Sequence, residues 1–253
     1  MTGDWIVAGF QSPSPVTNHR QLKVLAGTSG FAFKEWKGPF YPDDLSDKEM
    51  LAYYATRFPT VEINNTFYRM PKESVLLDWA KKVPAGFTVS IKASQRITHY
   101  TRLKPESYLH LEYLVKTSAV LGDKLGPTLF QLPPNLKKDL DRLRAFLPLL
   151  PKDRRFTVEF RHETWFTDDV FAALKEHNVA LGIIEQDDFA SPVVSTASWG
   201  YLRLHKLDYE PGALVAWAKK VKSMKWKDAF VYFKHDLGFG SGPPAADAFM
   251  KEF

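Results

Sequence analysis

Cysteine is missing from all 253 positions, which excludes disulfides, thiolate metal ligands and a cysteine nucleophile, and fits a reducing, cytoplasmic setting. No apolar run is long enough to span a bilayer, and the N-terminus has no basic segment leading into a long apolar one. Neither a membrane partner nor a classical secretory signal is expected. The chain also lacks a glycine-rich dinucleotide fingerprint and a dense ligand motif such as His-Glu-x-x-His, so neither an organic cofactor nor a resident metal is expected.

What is there is a modest basic excess and a repeated strand pattern. The net charge is +5 and the pI about 9.1, with basic residues in scattered groups such as Lys81-Lys82, Lys137-Lys138, Arg154-Arg155 and Lys219-Lys220. Most of these read as solvated helix faces; the remainder is a weak attraction for a phosphate-bearing partner.

In Arg155-Phe156-Thr157-Val158-Glu159-Phe160-Arg161-His162, the apolar residues Phe156, Val158 and Phe160 alternate with Thr157, Glu159 and Arg161. A strand has period 2, so the two sets lie on opposite faces, and the ionisable pair is costly to bury unless it is paired. The same figure returns in Thr60–Asn64, Phe87–Lys92 and Trp199–His205, and Lys23–Gly30, Pro127–Pro134, the short apolar Ala180–Ile184 and Ala229–His235 complete eight candidate strands. Helical stretches lie between, one of them opened by Ser46 with Glu49 three residues on. Eight strands alternating with helices predict a single α/β domain, a closed (β/α)8 TIM barrel over residues 23–253, with 1–22 as an N-terminal extension.

In such a barrel the apolar phase faces the helices and the polar phase points inward. Glu62, Asn64, Lys92, Gln131, Glu159, Arg161, Arg203 and His205 should then converge near the C-terminal rim. So many polar groups at a place usually filled by branched apolar side chains mark either a site or a buried ion-pair network.

The motifs Gly27-Thr28-Ser29-Gly30, Trp36-Lys37-Gly38-Pro39-Phe40-Tyr41-Pro42, Val61 through Tyr68, Phe130-Gln131-Leu132-Pro133-Pro134, Val158-Glu159-Phe160-Arg161-His162 and Arg203-Leu204-His205 resemble, in order, those of the YecE-like family, the domain of unknown function 72. The resemblance runs from residue 23 to about 253 and implies a TIM barrel. It implies no reaction. Lys206 stands where the family usually has glycine, and the following loop, Leu207 to Gly212, is short.

The inward set holds three cations, Lys92, Arg161 and Arg203, against two carboxylates, which suits a small anionic or phosphorylated ligand. Asn64, Gln131 and His162 would add hydrogen bonds. Gly240 and Ser241, in the glycine-rich loop before a helix near Pro243, would offer backbone amides to a phosphate. Glu62 and Glu159 are the expected acid and base, with His205 as an alternative proton carrier, for hydrolase- or lyase-type chemistry. Two other readings stay open. Nucleic acid would stack on Phe31, Phe33, Trp36, Phe40, Tyr41, Phe67 and Tyr68, although aromatics beside prolines more often pack as loop cores. A metal-dependent phosphodiester or sugar chemistry would use Glu62, Glu159, His162, Asp187, His205 and His235.

Overall fold

A computed structural model describes residues 22–235 and 242–253. Eight parallel strands follow one another in chain order: β1 (Lys23–Thr28), β2 (Thr60–Ile63), β3 (Thr88–Lys92), β4 (Leu125–Gln131), β5 (Phe156–Glu159), β6 (Ala180–Glu185), β7 (Gly200–Leu204) and β8 (Asp228–Phe233). From β2 onward each pairs with the next, and β8 pairs with β1 over six residues. The helices α1 (Met50–Arg57), α2 (Glu73–Lys82), α3 (Tyr108–Ser118), α4 (Leu140–Phe146), α5 (Asp168–Glu176), α6 (Pro211–Ser223) and α7 (Gly242–Met250) follow β1, β2, β3, β4, β5, β7 and β8. The architecture is the expected TIM barrel.

One connection departs from the expected alternation. No α-helix follows β6; residues 186–199 instead run back along that strand. Ser191 and Thr196 give the reason. Their hydroxyls accept the Ile184 and Leu181 amide hydrogens at 3.0 and 2.6 Å. Short polar side chains that bond nearby backbone compete with helix formation, and Pro192 cannot donate at all.

Two cores follow from the period-2 pattern. Val61, Ile63, Val158, Phe160, Leu202, Leu204, Val231 and Phe233 pack outward against the helices. Leu25, Leu129, Ala180, Trp199, Tyr201, Phe230 and Tyr232 fill the lower interior of the barrel. The Tyr232 hydroxyl is 2.7 Å from the hydroxyls of both Thr60 and Ser90, so the interior turns polar from here toward the C-terminal ends of the strands.

The barrel has one weak seam. β1 and β2 share only an isolated bridge, Ser29 with Glu62. Just below it the Tyr54 hydroxyl of α1 stands in for the missing ladder bonds. It accepts the Thr28 amide hydrogen at 2.8 Å and donates to the Thr60 carbonyl at 3.1 Å. Gly27 allows this approach: a Cβ there would lie 2.0 Å from the Thr60 carbonyl oxygen and 2.8 Å from the Tyr54 hydroxyl.

The helix read from Ser46 begins later than its cap suggests. Ser46 and Glu49 do bond, hydroxyl to carboxylate at 2.6 Å, but the α-helical turns start at Met50. Of the two readings of the loop aromatics, the loop core holds over the stacking surface: Trp36 is 0 % and Tyr41 1 % exposed, and Phe31, Phe33 and Phe40 pack against the same cluster. Tyr68 alone of that set is widely exposed, at 73 %.

Candidate functional site

Above the tyrosine layer the inward positions of β2, β5 and β7 carry Glu62, Glu159 and Arg203, all within the barrel and 0, 0 and 3 % exposed. Arg203 joins the two acids. Its Nε and Nη2 form a two-pronged grip on Glu62, 3.0 Å to Oε2 and 3.1 Å to Oε1, and its Nη1 reaches Glu159 Oε2 at 3.0 Å. Space for Glu159 comes from Gly182 on the neighbouring β6, where a Cβ would lie 3.0 Å from the Glu159 Cβ.

Every carboxylate oxygen here has a donor, as burial of a charge requires. Ser29 Oγ donates to Glu62 Oε1 at 2.5 Å and the Tyr201 hydroxyl to Oε2 at 2.6 Å. Arg161 Nε takes the remaining Glu159 oxygen, and its Nη1 bonds the Gln186 side-chain carbonyl. Burial and the neighbouring Glu62 push the Tyr201 phenol far up, so it stays a donor.

Burial alone would raise the Glu159 pKa, but Arg203 and Arg161 outweigh it and hold the carboxyl below its ordinary value of 4.5. In the unfolded chain that group returns to the ordinary value. Its stabilising contribution is therefore complete above pH of about 4.5 and is lost as the pH falls through the lower folded value. The melting-temperature gap between the parent and Glu159→Gln should thus narrow steadily from pH 5 to pH 3. A gap that stays constant over that range would refute the assignment of a charged, arginine-held Glu159.

The rim sits higher, at the C-terminal ends of the strands. Ser29 has one hydroxyl proton and gives it to Glu62, so His205 Nε2, 2.9 Å from the same Oγ, must be the donor in that contact. Burial, then Arg203, Arg161 and Lys92, drive the imidazole pKa well down. His205 is accordingly neutral, with its proton on Nε2 and Nδ1 left as an acceptor.

Lys92, at the end of β3, lies with Nζ 4.4 Å over the Phe67 ring. Burial first and Arg203 next, against the pull of Glu159 and Glu62, draw its amine down to about 8. Gln131 ends β4 half-buried on the same rim. Asn64 follows β2; its amide nitrogen is 3.5 Å from the Ser29 carbonyl, and its buried Oδ1 has no partner among the described residues.

Not all of the expected residues join this constellation. His162 turns away, its Nδ1 accepting from the Thr164 amide at 3.3 Å while it caps a short 3-10 turn. Asp187 accepts from the Leu207 amide, and no group of three or more His, Asp or Glu side chains among the described residues is arranged to hold a metal. The loop at Gly240 and Ser241 lies outside the described residues. Lys206 pairs with Glu185 at 3.5 Å, whose other oxygen accepts from the Trp217 indole at 2.8 Å.

Three participants were missed in the sequence. Ser29 and Tyr201 share the inward phase of Gly27 and Arg203, so the alternation that picked out their neighbours also indicates them. Gln186 lies past the end of β6, where no periodicity signals it.

Beside the ring, Ser29, Gly30, Phe31, Phe33, Asn64 and His235 line part of a cavity of about 210 Å³. A separate groove of about 490 Å³ lies between Tyr68, Arg69, Arg96, His110 and Tyr113. No helix among the described residues is long and apolar enough to cross a membrane.

Comparison with known proteins agrees with the fold and with the motifs. The chain is 33% identical over 117 residues to the UPF0759 protein YecE of Escherichia coli (strain K12), covering 46% of this chain and 43% of that one. It is 27% identical over 134 residues to the UPF0759 protein YunF of Bacillus subtilis (strain 168), covering 50% and 48%. The matched segments thus span less than half the length of these relatives. Among solved structures, a DUF72 family protein from Thermotoga maritima MSB8 superposes with a TM-score of 0.71 at 23% identity, over 90% of this chain and 97% of the other. Another from Enterococcus faecalis V583 gives 0.72 at 16%, over 90% and 94%. The family model described as "Protein of unknown function DUF72" matches residues 25–253, and the chain belongs to that family.

Proposed function

We propose that the C-terminal mouth of the barrel is an active site for a small anionic compound, phosphorylated or carboxylated, and that the chemistry is of hydrolase or lyase type. One observation carries this reading. The carboxylates that balance Arg203 lie beneath the rim at 0 % exposure, while Lys92 and the partly exposed Arg161 reach it. Three cations against two buried acids leave one positive charge, directed at the side from which a ligand would enter. Low dielectric around such a charge strengthens its hold on an anion.

In this arrangement Arg161 and Lys92 bind the anion, and Gln131 and Asn64 supply directional hydrogen bonds. His205 Nδ1 accepts a proton. Glu62 and Glu159 take a different part from the one their residue types suggest. With every oxygen engaged, they position the guanidinium groups rather than transfer protons themselves.

The test is thermal unfolding against inorganic phosphate, pyruvate and glycerol 3-phosphate. A ligand at about a hundred times its Kd adds roughly 2.7 kcal/mol, a shift readily seen. At least one anion should raise the Tm, and Arg161→Gln should reduce that affinity ten-fold or more. If no anion moves the parent, or Arg161→Gln binds as the parent does, the reading fails.

The nucleic-acid alternative is favoured by one feature, the second groove, where Tyr68 and Tyr113 are 73 and 54 % exposed beside Arg69 and Arg96. A short oligonucleotide belongs in the same panel. Binding that weakens steeply with salt and survives Arg161→Gln would select that groove over the mouth.

A further inference from the structure

Lys92 is placed unlike the other cations of the rim. Arg203 and Arg161 hold the two carboxylates between them, the remaining Glu62 donors are Ser29 and Tyr201, and the Lys92 amine is not among their partners. Its Nζ makes neither an ion pair nor a hydrogen bond with a described residue. The face of Phe67 closes one side of it. His99, whose ring lies 4.9 Å from the Phe67 ring, is itself held neutral by burial, with Lys92 and Arg102 adding to the effect.

A buried amine with an apolar wall, no direct ion pair and two guanidinium groups whose effect opposes that of the more distant Glu62 and Glu159 loses its proton more readily than a surface lysine. That is how a lysine becomes a nucleophile. Arg161, the partly exposed one of the two, would hold an anionic substrate beside it.

We propose that Lys92 forms a Schiff base with the aldehyde or ketone group of a small substrate that also carries a carboxylate or phosphate. The inference rests on the anion-binding reading of the same mouth and adds the carbonyl to its substrate class. In the step, the Nζ lone pair forms the N–C bond as the carbonyl π electrons move to oxygen. That oxygen gains two protons, one relayed from Nζ and one from solvent, and leaves as water, so the C–O bond is replaced by C=N. Water is the only product besides the protonated imine, and nothing is oxidised or reduced. The imine then draws electrons from the adjacent carbon, as lyase-type chemistry requires. At an amine pKa of about 8, roughly one Lys92 in ten is uncharged at pH 7.

The test is reductive trapping. The full chain is incubated at pH 7 with pyruvate, and separately with glycolaldehyde phosphate, each with sodium cyanoborohydride, and the adduct is located by peptide mass mapping. One adduct per chain is expected, on the peptide carrying Lys92, formed at least ten-fold faster than at any other lysine. Lys92→Arg, which keeps the charge without the nucleophile, should lose that fast adduct. Labelling spread evenly over the lysines, unchanged in Lys92→Arg, overturns the proposal.

Stability gives a second readout. Removing an unpaired, desolvated cation should raise the Tm at pH 7, so Lys92→Met should melt above the parent. A lower Tm would mark the amine as a structural cation and count against the proposal. Stabilisation by inorganic phosphate without a Lys92 adduct would sink the Schiff base and leave the anion site standing. An adduct at Lys92 with no stabilisation by any anion would sink the anion site instead.

Discussion

Arg203→Met should cost the barrel about 3–5 kcal/mol, because it leaves two fully buried carboxylates without the cation that joins them. Glu159 keeps Arg161, but Glu62 keeps only the hydroxyls of Ser29 and Tyr201. The measurement is urea unfolding, read as a fall in midpoint at constant slope. Loss of one partner is the costly operation; loss of the whole network is not. The triple variant Arg203→Met, Glu62→Gln, Glu159→Gln should therefore recover much of the stability lost by the single one. A single variant within 1 kcal/mol of the parent would mean that water or rearrangement compensates the charges, and the network account would be wrong.

Gly27→Ala should be nearly as damaging, for a steric reason. The added carbon would meet the Thr60 carbonyl at 2.0 Å, far inside contact distance, and would press on the Tyr54 hydroxyl as well. Overpacking of this kind costs about 1–3 kcal/mol where side chains can adjust, and here one of the obstructing groups is backbone. Displacing the Tyr54 hydroxyl would also leave the buried Thr28 amide unsatisfied, adding roughly 1–3 kcal/mol. Hydrogen exchange should show the damage concentrated at Thr28 and its neighbours. If Gly27→Ala melts with the parent and its exchange pattern is unchanged, β1 and β2 do not meet as closely as described.

The parts of this site that the sequence revealed are those a two-residue period can reveal. Glu62, Glu159 and Arg203 fall in phase with inward positions on their own strands, and each is where the alternation put it. Their pairing was not legible. Which acid meets which arginine depends on the stagger of strands separated by 44 to 141 residues along the chain. The burial of Trp36 and Tyr41 was legible, since an aromatic beside proline more often fills a loop than stacks on a ligand. The missing helix after β6 was disguised by the regularity of its neighbours. Only the local bonds of Ser191 and Thr196 to the strand reveal why the chain doubles back.

The uneven seam has a consequence for how the protein is made. β1 pairs along its full length with β8, the last strand, but with β2, its neighbour in sequence, through a single bridge. During synthesis β1 emerges first of the described strands and must wait for about 200 further residues before its continuous partner exists. Until then its edge is open to pairing with other chains, and Lys23 at its exposed end is the sort of charge that discourages such pairing. Closure is thus a late event, and the ion-pair layer, which needs β2, β5 and β7 together, is assembled only when most of the wall is already standing.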